Sequence, residues 1–236
     1  MNNQELLRLI ETPELLNQYD VRGKTPLYYA INTANLRAVK MMIDTGQLDI
    51  TMTNKDELPI NTALRLHKYA IYRLLLTQIV RSMDHRDYLI RVLKTGNIRV
   101  FRDYLLAFKI YSLAGLEMMI SCYATKQHFE LLKSHEIHLD YQHCTRFCLC
   151  MGKIQCFNYL LSHCYEVDME FSNLVFNSIT LLGIAVQHNY LSSVKRLLKM
   201  GADANKPIIK KTGEVIYCRE MTDNKEIQAA LDIRMN

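Results

Sequence analysis

The chain of 236 residues has no tryptophan, and its turn residues are scarce, with 8 Gly and 4 Pro. Together they make about 5% of the chain, where average usage is roughly 7% Gly and 5% Pro. That shortage excludes collagen-like and low-complexity sequence, and a many-stranded β architecture with a Gly-rich turn at each short interval. No run of about five or six like charges occurs, so there is no basic arm and no acidic tail. No stretch reaches the ~18 uncharged apolar residues of a membrane span. The N-terminal Met1–Leu7 carries neither a basic region nor a long apolar run, so a secretory signal is not expected. Sequons of the Asn-x-Ser/Thr type are absent, and the 7 Cys are an odd number. Both point to a reducing compartment and a cytoplasmic protein, not a disulfide framework.

What the chain has is leucine, 33 residues of it, within a hydrophobic share of 49% against 22% charged. That balance excludes a wholly disordered chain and predicts a helix-dense protein. The net charge of +5, with a sequence pI near 8.7, falls short of the clustered basic footprint of a nucleic-acid binder. Nucleic acid and membrane are therefore not expected partners.

Self-similarity is the most informative pattern. Asp20-Val21-Arg22-Gly23-Lys24-Thr25-Pro26-Leu27-Tyr28-Tyr29-Ala30 opens a block that continues through Leu36, Val39, Met42 and Ile43. Pro59, Ile60, Ala63, Tyr69, Tyr72, Leu75 and Leu76 repeat it. Thr180, Leu182, Ala185, Leu191, Val194, Leu197 and Leu198, then Gly201-Ala202-Asp203, repeat it again, with Ser178 and Leu181 in place of the turn Gly and the Pro. Weaker copies lie between, and the last apolar positions Ile43, Leu76, Leu105, Leu132, Leu161 and Leu198 are 33, 29, 27, 29 and 37 residues apart.

These motifs resemble the ankyrin-repeat family, whose unit reads D-x-x-G-x-T-P-L-H-x-A and, after a second helix, G-A-D. The resemblance implies an all-α solenoid of about six helix-turn-helix units. The chain then divides as one domain: an N-terminal cap over 1–19, repeats over 20–205, and a hairpin and C-terminal cap over 206–236. Ala30, Ala63 and Ala185, with Cys148 as a small substitute, mark the close approach of paired helices. Leu6, Leu7, Leu9 and Ile10, then Leu15 and Leu16, read as a capping helix pair interrupted at Pro13. Ile208–Tyr217 reads as a hairpin turning at Gly213, and a helix over about Asp223–Ile233 closes the stack. So few glycines predict that the repeats over about 84–170 have abandoned the standard loops.

Enzymatic motifs are weak. Gly23-Lys24-Thr25 ends like a phosphate-binding loop, but Gln18 stands where that motif needs glycine, and Pro26 removes an amide. His135, His138, His143, Cys144, Cys148, Cys150, Cys156, His163 and Cys164 crowd together without a Cys-x-x-Cys pair. Free Cys is a small buried apolar residue, so packing is the first reading; a zinc- or thiol-dependent enzyme centred on Cys144–Cys164, with Cys144 and His143 as one candidate dyad, is the alternative. No catalytic residue, metal site or cofactor is expected.

The family resemblance implies recognition through loop tips and inner helices. The corresponding positions are Arg22, Lys24, Tyr29, Asn32 and Thr33 in the first copy; Asn54, Asp56, Thr62 and Arg65 in the second; Arg86, Arg91, Lys94 and Thr95 in the third. They imply a basic groove for an acidic protein partner, bound by a monomeric, non-enzymatic module. Within the family, Asp20-Val21-x-Gly23 followed by Leu27-Tyr28-Tyr29-Ala30-Ile31 is similar to the vaccinia-type poxvirus host-range ankyrin proteins. That implies a pathogen factor acting on host innate defence; a bacterial effector or a cellular adaptor are the other readings.

Overall fold

The computed structural model describes residue 8 and residues 12–54, 57–163 and 166–232. Backbone contacts divide the chain into two compact units, Met1–Tyr111 and Ser112–Asn236.

In the first unit a 3-10 turn, Pro13–Leu15, leaves Leu15 exposed and is followed by the buried Leu16. Of the expected capping pair, Leu15 ends this turn and Leu16 follows it, and Arg8 is helical, while Leu6, Leu7, Leu9 and Ile10 lie outside the described residues. Helices α1 (Pro26–Asn32) and α2 (Leu36–Asp44) follow, then α3 (Pro59–Arg65) and α4 (Tyr69–Ser82), then α5 (His85–Thr95) and α6 (Ile98–Ala107). Thr25 caps α1: its Oγ1 accepts the Tyr28 amide at 3.2 Å, and Pro26 takes the first helical position, where the missing N–H costs nothing. α1 packs on α3, and the second helices α2, α4 and α6 pack in series. Ala30 and Ala63 are fully buried, as the close approach requires.

Tyr88, Phe101, Tyr104 and Phe108 form an aromatic cluster between α5 and α6, with ring centroids 5.2–6.4 Å apart. Burial holds the Tyr88 and Tyr104 hydroxyls well above the ordinary tyrosine value. Tyr72 donates to Asp103, tying α4 to α6. These tyrosines are core, apart from Tyr69, which is half exposed.

The second unit contains α7 (Glu117–Tyr123) and α8 (Lys126–Ser134), α9 (Tyr141–Cys150) and α10 (Ile154–Leu161), α11 (Leu181–Gln187) and α12 (Leu191–Lys199), and finally α13 (Lys225–Asp232). A four-stranded antiparallel sheet accompanies them: β1 (Glu170–Phe171), β2 (Phe176–Thr180), β3 (Ile208–Lys210) and β4 (Val215–Ile216), in that order. The hairpin turning at Gly213 and the closing helix, with Ile227 and Leu231 buried, stand where the sequence reading put them. The hairpin β1–β2 was not expected. It corrects the reading of Ser178 as a turn residue, for Ser178 pairs with Ile209 in mid-strand and donates to Glu170 at 2.6 Å. Its insertion accounts for the longest repeat spacing. β2 runs directly into α11, where Thr180 Oγ1 accepts the Gly183 amide at 3.2 Å, the cap Thr25 makes on α1.

The middle of the chain is also more regular than expected. Left-handed backbone recurs between the helices of a pair at Ala34, His67, Gly96, Gly152 and Asn189. It recurs after the second helix at Gly46, Lys109, Glu136 and Gly201. In four of the turns the amide after the left-handed residue returns to the small buried position: Asn35 to Ala30, Lys68 to Ala63, Lys153 to Cys148 and Tyr190 to Ala185, at 2.8–2.9 Å. Such bonds close a helix through a left-handed residue. Over 84–161 the left-handed turn persists at Gly96 and Gly152, and at Lys109 and Glu136 with another residue in the glycine position, whereas α7 joins α8 through extended backbone at Ala124 and Thr125.

Candidate functional site

The first unit carries a cleft of about 890 Å³. One wall is α5. Asp84 caps that helix, its Oδ1 accepting the Arg86 amide at 2.8 Å, and Tyr88, Leu89, Val92 and Leu93 bury one face. Helical spacing then turns Asp87, Ile90, Arg91, Lys94 and Thr95 to the other, lining the cleft. Thr53 and Leu58, flanking the loop before α3, and Met83, ending α4, line the rest. The lining combines three apolar side chains, Leu58, Met83 and Ile90, with two cations and one carboxylate, so its fixed charge is net positive.

Of the residues named from the sequence, the fold brings Arg91, Lys94 and Thr95 together here. The others lie elsewhere. Arg22 is exposed in the Asp20–Gly23 turn, its amide on Asp20 Oδ1 at 2.9 Å. Lys24 is half-buried with its Nζ 3.5 Å from the centre of the Tyr28 ring. Tyr29 donates to Asp20 Oδ2 at 2.6 Å, which holds the Asp20 carboxyl below its usual value and raises the phenol. Asn32 and Thr33 are exposed at the end of α1, and Thr33 Oγ1 donates to the Tyr29 carbonyl at 2.9 Å. Arg86 is exposed in the first turn of α5, outside the cleft lining.

The second copy needs correction. Thr62 is 1% exposed, its hydroxyl turned back to the Leu58 carbonyl at 3.4 Å. Asn54 is 8% exposed and pairs by backbone with Glu57. Neither is a surface residue, because the chain there folds back against α3. Asp56 lies outside the described residues. Arg65 is engaged in a two-pronged pair with Glu57, both N–O distances 2.9 Å, which holds the Glu57 carboxyl below its usual value. Leu58, Met83, Asp87 and Ile90 were missed. The 87/90/91/94 spacing was available as a helical face, but Leu58 and Met83 join it only through tertiary folding.

The cysteine–histidine segment does not converge. Among the described residues, no three His, Cys, Asp or Glu side chains come together to hold a metal. His143 Nδ1 lies 2.6 Å from Asp140 Oδ2, and its ring meets Phe171 edge-on. The Cys144 thiol instead faces the Glu117 carbonyl at 3.9 Å, and burial pushes it up to about 12. The dyad is not formed. Among the described residues no helix is long and apolar enough to cross a membrane.

Repeated helix pairs, left-handed turns and Thr-capped first helices can be compared with solved structures. The ankyrin repeat domain of Bcl-3, described as a unique member of the IkappaB protein family, superposes with a TM-score of 0.54 at 15% identity, covering 89% of this chain and 99% of that one. The fold is that of an ankyrin repeat domain. The human ASB11 ankyrin repeat domain is similar at 15% identity and a TM-score of 0.35, covering 98% of this chain and 93% of its own. The ankyrin repeat protein EF0377 gives 17% identity and 0.31, with 91% and 98% covered. No protein-family model and no curated protein matches the sequence.

Proposed function

We propose that this ankyrin-fold chain is a non-enzymatic protein-binding module whose α5 cleft receives an acidic segment with apolar anchors from a partner protein. The observation that carries this reading is the lining itself. Arg91 and Lys94 stand one helical turn apart on the face that also presents Ile90, with Met83 lining the cleft beside them and Leu58, 1% exposed, buried behind the lining. An apolar floor supplies desolvated contact, and the cations select sign and speed encounter. The side chains of Arg65 and Tyr29 are already engaged inside the protein, so the recognition surface is narrower than the sequence suggested.

The segment Asp20–Ile31, with its likeness to vaccinia-type host-range ankyrin proteins, supports the finer reading. The chain would act as a monomeric pathogen factor in the host cytoplasm, occupying a host defence protein and blocking it by stoichiometric binding.

Fluorescence anisotropy with two peptide series tests the cleft. Both carry the same leucine anchors, one flanked by Glu and the other by Lys. The Glu series is expected to bind, and Arg91→Glu with Lys94→Glu to reverse the preference while the melting temperature holds. Equal binding of both series, or unchanged binding by the double variant, rejects the cleft assignment. Expression in host cells with an innate-signalling reporter tests the finer reading, which fails if the signal is unaltered at saturating expression.

A further inference from the structure

The second helices of the first unit, α2, α4 and α6, pack in series. They bury Val39 and Met42, Leu75 and Ile79, and Phe101 and Leu105. Helical spacing then puts Arg37, Lys40, Arg73, Arg81, Arg99 and Arg102 on the exposed side. The same helices hold two carboxylates, Asp44 and Asp103. Asp103 accepts the Tyr72 hydroxyl and lies 3.8 Å from Arg102. Six cations against two carboxylates leave these helices a net +4, beside +5 for the whole chain. Charge that the composition shows as dilute is concentrated on one layer of helices.

Each helix also exposes an apolar or aromatic side chain one turn from a cation. Leu36 precedes Lys40, Tyr69 precedes Arg73 and Leu106 follows Arg102, each by four residues, and their exposures are 41%, 48% and 60%. That spacing sets each pair on one stripe of its helix. Cations alone suit any polyanion, a nucleic-acid backbone included. An apolar side chain beside them contributes little at a phosphodiester backbone, but it is buried at a lipid interface, where acyl chains begin just below charged headgroups. Tyrosine suits that boundary, with an apolar ring and a polar hydroxyl. We propose that the α2–α4–α6 face is a docking surface for an anionic phospholipid bilayer. The cations meet the headgroups, and Leu36, Tyr69 and Leu106 enter the boundary with the acyl chains. The sequence reading set membranes aside because no segment can span one; a peripheral contact needs no span. The face shares no residue with the α5 cleft, so either reading can fail alone.

Co-sedimentation of the full chain with vesicles tests the proposal, phosphatidylcholine mixed with phosphatidylserine against phosphatidylcholine alone. The parent protein is expected to sediment with the mixed vesicles only, and added salt to release it. Arg37→Gln with Arg73→Gln should weaken binding roughly thirtyfold, about fivefold for each charge lost at the surface. Leu106→Ser should weaken it roughly fivefold with no change of charge, which separates entry into lipid from adhesion of cations to any anion. Arg22→Gln with Arg86→Gln removes the same charge from exposed positions off this face, and should leave binding within about twofold. All these side chains are exposed, so the melting temperatures should hold. No binding to the mixed vesicles, an equal loss in the Arg22 and Arg86 variant, or unchanged binding by Leu106→Ser would overturn the proposal. So would poly-uridylate that displaces the protein from vesicles and binds Leu106→Ser as well as the parent, which would make the face a nucleic-acid surface.

Discussion

The imidazole of His128 accepts the backbone amide of Thr125 on Nδ1 at 3.1 Å, closing the N-terminus of α8 from a fully buried position. The geometry requires a neutral ring with its proton on Nε2, and burial, assisted by the Lys153 charge, lowers the imidazole to about 4. In the unfolded chain it returns to its ordinary 6.5. Between these values the unfolded state binds a proton that the folded state refuses, so stability rises with pH. It is complete above about 6.5, declines as pH falls, and the loss levels off below about 4, at on the order of 3 kcal/mol. Urea denaturation across this window should show the decline. His128→Asn, which keeps an acceptor for Thr125, should remove most of it; an unchanged slope would show that another group is responsible.

Lys109 and Glu136 hold left-handed backbone, with φ of +52° and +54°, after the second helices of their pairs, where Gly46 and Gly201 serve elsewhere. An L side chain pays about 1 kcal/mol in that region, and both residues are exposed. Lys109→Gly and Glu136→Gly should each stabilise the protein by about 0.5–1 kcal/mol, read from the urea midpoint at constant slope. Destabilisation by either would mean that the side chain makes contacts worth more than the strain.

These positions also show what the sequence could and could not convey. Asp20–Ala30 and Leu182–Asp203 carried the fold, because a Thr cap, a small residue at a helix crossing and a turn each have a distinct residue preference. The middle was obscure because the backbone requirement there is for a dihedral, and lysine or glutamate can satisfy it at a tolerable cost. The hairpin β1–β2 was obscure for another reason. Phe176–Thr180 is a short run whose strand character depends on pairing with β3, some thirty residues on. For the cleft, Arg91 and Lys94 were legible as helix-face residues, while Thr62 was not legible as buried, since its exposure depends on how the preceding loop folds back.

Gly183 lies in α11 where the helix presses on the sheet. A methyl group there would meet Ile179 Cγ1 and Ile208 Cδ1, each at 2.8 Å, and both isoleucines are fully buried. Ala is worth about 1 kcal/mol over Gly in an ordinary helix interior, but overpacking a closed core costs about 1–3 kcal/mol. Gly183→Ala should therefore destabilise by about 1 kcal/mol, opposite in sign to helix propensity. A raised melting temperature would show that the two isoleucines repack freely.

Arg65 and Arg91 separate a structural charge from a recognition charge. Arg65 meets Glu57 in a two-pronged pair with its side chain 54% exposed, so solvent screening limits the pair to about 0–1 kcal/mol. Arg91 lines the cleft, where its charge would meet an acidic ligand. Arg65→Ala should thus lower stability slightly and leave binding of the Glu-flanked peptide within about twofold, whereas Arg91→Ala should leave stability unchanged and weaken binding about tenfold, or 1.4 kcal/mol. Because the partner charge is met at a partly open surface, raising the salt should erode binding by the parent protein more than by Arg91→Ala. Equal salt slopes for the two proteins, or a larger binding loss at Arg65 than at Arg91, would move the recognition surface from α5 to the loop preceding α3.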